Sequence, residues 1–216
     1  MDQLELLKRQ WQEREQELPK LSFDEIYKML LKKSSSVVKW IFFASLIEIA
    51  IWIGLNFLIP DSQKTINEGM GLSRIFTLMN VIHYTIFAAF IYLFYKNYIS
   101  IQTTDSVRHL MKKILKTRRT VRYFVYYNIG TAILTLIAVN IYYYFNKEHL
   151  YELLKTTFPD SYATIDLASF TTVFFVTQVI VGLLLIGFIA LIYYLVYGLM
   201  LRRLKGNYVE LKKIEL

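Results

Sequence analysis

FTTVFFVTQVIVGLLLIGFIALIYYLVYGLML, residues 170–201, contains no charged side chain. An α-helix needs roughly 20 apolar residues to cross a hydrocarbon core of about 30 Å, and this run exceeds that length. Three further runs, Val37–Ile59, Ile75–Tyr95 and Tyr123–Phe145, are about as long as a span or longer. Backbone groups in lipid have to be satisfied within the protein, which leaves helices and closed barrels. The runs lack the polar and apolar alternation of barrel strands, so they predict transmembrane helices. The expected fold is an all-α membrane protein, an antiparallel four-transmembrane-helix bundle over 37–201 with spans 37–59, 74–100, 121–146 and 169–201. A cytoplasmic helical segment, 1–36, precedes it, and a cytoplasmic tail, 202–216, follows.

Composition agrees. The chain is 55% hydrophobic and 19% charged, where a soluble domain carries about 25% charged residues. Its charges gather between the apolar runs. The first run lies behind a charged stretch, is too long for a removable signal peptide and lacks a small-residue cleavage site, so it is expected to stay as an anchor. The absence of cysteine excludes disulfides, thiolate metal sites and cysteine nucleophiles.

Lysine and arginine set the expected orientation. Eight fall in residues 1–39, one is Lys96, seven fall in 108–122 and five in 202–213, which makes twenty-one on one side. Lys64, Arg74, Lys147 and Lys155 lie on the other. This asymmetry puts both termini in the cytoplasm, with the inner membrane as the location. The net charge of +8 then belongs to topology and lipid headgroups, and no nucleic acid is expected as a partner. Aromatic residues mark the borders: Tyr92, Tyr95 and Tyr98; Tyr123, Phe124, Tyr126 and Tyr127; Tyr142–Phe145; and Tyr193, Tyr194 and Tyr197. All are read as interfacial belts.

Outside the spans, Leu4, Leu7, Trp11 and Leu18 recur at helical spacings and form a narrow seam, read as a partner-binding face. Pro19 ends that helix. Ser22 and Glu25 form a capping box for a second helix with Phe23, Ile26, Tyr27, Leu30 and Leu31 on one face. Lys28, Lys32 and Lys33 flank this face, which suits a helix lying along the headgroups, with a change of direction at Ser34–Ser36. In the second loop Val107, Leu110, Met111, Ile114 and Leu115 repeat the pattern, capped by Thr104 or Asp105. That loop reads as a helical extension of the spans or as a docking face for a protein or lipid. On the far side, 60–73 is a short polar link, and 146–169 holds an amphipathic piece with Leu150, Leu153 and Leu154, broken by Pro159.

Glu48 is the first candidate for chemistry, because it lies at the midpoint of the first run. A carboxylate there costs roughly 2.5–3.5 kcal/mol, so it needs a partner or a purpose. His83 lies within two residues of the middle of the second span, about 3 Å along a helix axis. The two are expected to share a depth, as a proton-responsive or metal-binding pair or as a structural brace. Asn80, Asn128, Asn140 and Gln178 are the other intramembrane polar residues, expected as modest interhelical hydrogen bonds. His149 with Glu148 and Glu152 is a weaker metal candidate. No nucleotide, protease or haem motif is present, no cofactor is expected, and neither internal repeats nor the broken helices of many transporters stand out.

The stretch LKRQWQEREQELPKLSFDEIYKMLLKKSSSVVKWIFFASLIEIAIW, Leu7–Trp52, resembles the start of small four-span inner-membrane proteins of Bacteroidetes-type bacteria. The resemblance implies genes that often neighbour those of extracytoplasmic-function sigma factors, and it carries no catalytic motif. It lacks the zinc-binding His/Cys set of familiar anti-sigma proteins. The leading expectation is therefore a non-enzymatic membrane regulator or scaffold whose front helices recruit a soluble partner, a sigma factor being the candidate. The alternative is a small oligomeric transporter or an ion- or proton-responsive protein using Glu48 and His83. Membrane lipids and further copies of the chain are the other expected partners.

Overall fold

The computed structural model describes Glu5 and residues 22–215 apart from Asp105 and Ala163. The seam of Leu4, Leu7, Trp11 and Leu18 lies outside the described residues. Helix α1, Phe23–Phe57, starts at the expected capping box: Ser22 Oγ accepts from the Glu25 amide at 3.3 Å, and Glu25 Oε2 accepts from the Ser22 amide at 2.8 Å. Short helix α2, Asp61–Gly69, leads to α3, Ser73–Gln102. Gly71 makes that turn with φ +70°, a conformation that side chains with a Cβ disfavour. Helix α4 is Val107–Phe145. The short helices α5, Lys147–Thr157, and α6, Pro159–Tyr162, precede α7, Leu167–Tyr193. A π turn, Tyr194–Gly198, joins α7 to α8, Leu199–Glu215. Among the described residues there is no strand.

Four stretches are long and apolar enough to cross a membrane: Phe23–Phe57, Ser73–Gln102, Val107–Phe145 and the α7–α8 rod, Leu167–Lys213. At about 1.5 Å per residue, α4 with its 39 residues is far longer than a hydrocarbon core. The surplus lies at its start. There it packs with the start of α1 and with α8, at what we call the terminal end. The other end carries α2, α5 and α6 and is the capped end.

Three expectations about segment borders are corrected. Helix α1 runs without a break through Ser34–Ser36. Ser34 is fully buried and its Oγ accepts from Asn207 Nδ2 of α8 at 3.0 Å, so a small residue there permits close packing. The apolar face at its start does not lie along a surface: Leu30 is fully buried, Ile26 and Leu31 pack against the same cluster, and Tyr27 donates to the Thr104 carbonyl at 2.6 Å. Helix α4 is capped by Ser106, whose Oγ accepts from the His109 amide at 3.4 Å. Thr104 instead donates back to the Ser100 carbonyl at 2.7 Å and closes α3. The stripe Leu110, Met111 and Ile114 is buried within the protein, which leaves no apolar docking face at those positions.

The buried side chains form two clusters. The larger gathers at the terminal end and reaches into the spans, with Ile41, Phe87, Phe94, Phe124 and Leu204 fully or almost fully buried. The smaller closes the capped end around Met70, Leu150 and Phe170. Hydrogen bonds stitch that end together, from Tyr142 to the Met70 carbonyl at 2.7 Å and between His149 Nε2 and the Gly69 carbonyl at 3.0 Å. His149 is thus engaged with backbone, and among the described residues no group of three or more His, Asp or Glu side chains is arranged to hold an ion.

Candidate functional site: a carboxyl clamped between spans

The buried stripe of α1, Leu30, Ser34, Val38, Ile41 and Ser45, recurs at spacings of three and four. Glu48 is the next position on that stripe, so the helix aims it into the protein. Its two carboxyl oxygens are taken by two tyrosines of the last span. Tyr193 donates to Oε1, and Tyr197 donates to Oε2 at 2.7 Å. Both tyrosines are buried, 5% and 2% exposed.

Local backbone geometry presents this pair. Tyr193 ends α7 and Tyr197 lies inside the π turn that follows. Such single wide turns within an α-helix recur at functional sites. The rings are held from behind by Phe124 of α4, at centroid distances of 6.2 Å to Tyr193 and 5.6 Å to Tyr197. Phe124 is itself fully buried and packs edge-on against Phe87 at 5.0 Å and Phe94 at 5.4 Å. The carboxyl therefore sits against an aromatic cluster, and each of its oxygens accepts from a tyrosine hydroxyl. Two donors on two oxygens make a fixed cross-link between the first and last spans.

Glu48 and His83 do not pair. The ring of His83 stacks on Tyr127 of α4, with centroids 5.7 Å apart and planes within 17°, and the Tyr127 hydroxyl lies 3.3 Å from Nδ1. A shared depth is set by position along an axis, but contact also requires facing directions, and each residue faces a different helix. The amides depart from expectation too. Asn128 and Asn140 donate to carbonyls of their own helix, those of Phe124 at 2.9 Å and Leu136 at 2.8 Å, rather than across helices. Asn80 makes no hydrogen bond among the described residues. Gln178 Oε1 is buried without a partner among the described residues. Interhelical amide bonds are instead made by residues the apolar pattern does not single out: Asn97 to Thr120 at 3.3 Å, Asn56 to Tyr84 at 2.6 Å and Asn207 to Ser34 at 3.0 Å.

Tyr193 and Tyr197 correct the belt reading as well. Position near a span end is a poor guide when the helix continues into α8 and its inward face is buried. Tyr194, between them, is 50% exposed and its ring lies under Arg202. Similarly Tyr143 is buried while Tyr144 and Phe145 are exposed.

An all-helical membrane protein with a tyrosine-clamped carboxyl between its first and last spans is what these features define. The chain belongs to the family described as a domain of unknown function, DUF8845, which it matches over residues 24–216. No curated protein and no solved structure matches it. The family match takes in the whole clamp and begins within the first turn of α1, after the 4–18 seam.

Proposed function

We propose that the protein is a non-enzymatic regulator of the bacterial inner membrane. In this reading the spans form an antiparallel bundle with both termini cytoplasmic, as the lysine and arginine asymmetry favours. The front segment, with Leu4, Leu7, Trp11 and Leu18, recruits a soluble protein, a sigma factor being the candidate that the sequence resemblance raises. The observation that carries the regulatory part is the Glu48–Tyr193–Tyr197 clamp. It joins α1, which continues the recruiting segment, to the α7–α8 rod, whose Asn207 reaches back to Ser34 of α1 at 3.0 Å. A change of state at one carboxyl then bears on both helices that lead to the cytoplasmic end. Regulation requires such an element with two arrangements, and gain or loss of a proton at a carboxyl held by two donors is the change of state that this reading assigns to it.

The test is affinity capture from membranes with three full-length forms: the natural chain, Leu7→Ala/Trp11→Ala, and Tyr193→Phe/Tyr197→Phe. The seam variant is expected to lose a cytosolic protein that the natural chain retains. The tyrosine variant, which keeps ring volume and removes both donors, is expected to change the amount recovered while inserting normally. Identical recovery from all three forms refutes the proposal.

A further inference from the structure

Between the two buried clusters lies a cavity of about 420 Å³, bounded by α1, α2, α3, α4 and the end of α7. Its volume falls in the range of small-molecule sites, roughly 300–1,000 Å³. Its walls have two components. Trp52, Phe76, Tyr84 and Tyr193 supply rings, and Asn80, His83, Asn128 and Thr135 supply hydrogen-bonding groups. Among the described residues, no lysine, arginine, aspartate or glutamate lines it.

The polar groups leave defined valences open. The hydroxyl of Tyr127 occupies His83 Nδ1; when it donates there, the ring proton is on Nε2, which has no partner among the described residues. Asn128 uses one amide hydrogen on Phe124, and its oxygen has no partner among the described residues. Asn80 and Thr135 make no hydrogen bond among the described residues. The wall therefore offers donors and acceptors together, within the depth of the spans, where unmet polar groups are costly. An adjoining cavity of about 320 Å³ shares Phe76 and Asn67 as a wall, and Gln178 lines it. The oxygen of Gln178 is a buried acceptor without a donor among the described residues.

We propose that this cavity binds an uncharged, ring-bearing small molecule that carries both hydrogen-bond donors and acceptors, as an aromatic amide does. A charged ligand would meet no countercharge on these walls, and its desolvation would go uncompensated. A purely apolar ligand would leave the amides and the imidazole unmet. The inference stands on the cavity alone and holds whether or not Glu48 acts as a switch.

Trp52 provides the readout. The full-length protein carrying Trp11→Phe and Trp40→Phe is placed in nanodiscs, and Trp52 emission is followed while 2-naphthamide or 2-naphthoate is added. The two probes share a shape and differ in charge. The amide is expected to give a saturable change and the carboxylate none at the same free concentration. Asn80→Leu/Thr135→Val should weaken the amide response roughly tenfold or more, as expected for two lost hydrogen bonds. Ala132→Phe, which fills the cavity, should abolish it. Equal responses to the two probes, an amide response that never saturates, or one that survives Asn80→Leu/Thr135→Val unchanged would overturn the proposal. The last variant leaves the cavity open and keeps the test decisive if Ala132→Phe does not fold.

Discussion

Glu48 stands out in the sequence because it is the one acidic residue inside the first apolar run, and the structure gives each of its two oxygens a tyrosine donor. Its depth is legible from the run alone. Its partners are not, because Tyr193 and Tyr197 resemble any tyrosines near a span border until the azimuth of the last helix is known. That helix is apolar on every side, so its sequence does not mark the face that turns inward. His83 shows the same limit: a correct depth with a different neighbour. Replacement of Glu48 separates the roles of shape and charge. Gln keeps the size and an acceptor, and the unfolding midpoint in bicelles should shift little. Leu leaves two buried hydroxyls without an acceptor, at ~1–3 kcal/mol each, and should lower the midpoint clearly. A Leu variant as stable as the natural protein would show that the clamp contributes nothing to folding.

At the scale of elements, the start of α1 and the existence of four long apolar helices follow from capping residues and run length. Of the joins, the helical extension of 107–122 into the third span is one of the two readings the sequence offers; the continuation of the fourth span is not, because hydropathy changes at a membrane border while the backbone has no reason to stop. Thus 107–122 and the third span are one helix, and 202–215 continues the fourth. The capped end depends on two local devices that can be tested. Gly71 has open space where a Cβ would go, so Gly71→Ala meets only the backbone cost of φ +70°. That cost is roughly 1–2 kcal/mol, and thermal unfolding should register it. Asp166 caps α7 by accepting from the Ala168 and Ser169 amides at 3.1 and 3.0 Å. Hydrogen bonding from Ser169 holds its carboxyl below the usual range. Because the folded value is lowered, its stabilisation is complete above the ordinary Asp value of about 3.9 and is lost as pH falls through the lowered one. Asp166→Ala should therefore lower the midpoint at neutral pH and reduce its loss on acidification. Parallel pH curves for the two proteins would remove the cap from the explanation.

On the scale of the whole molecule, orientation rests on charge and is checked separately from packing. Reporters fused after Leu216 should be active only in the cytoplasm, and reporters near Asp61 or Phe158 only on the other side. A cytoplasmic signal from the 146–169 loop would invert the proposed regulator. The proposed regulation further requires that a local change in the clamp be felt at the terminal end, where α1, α4 and α8 pack on one another. Those contacts include the fully buried Leu30, Ile114, Leu204 and Leu211, and packed interiors transmit small shifts rather than absorbing them. Hydrogen exchange on Tyr193→Phe/Tyr197→Phe, compared with the natural protein in nanodiscs, reads that transmission directly. Faster exchange is expected in residues 23–36 and 199–213 as well as beside the clamp. Exchange altered only within about one turn of Glu48 and Tyr197, with the terminal end unchanged, would contradict it.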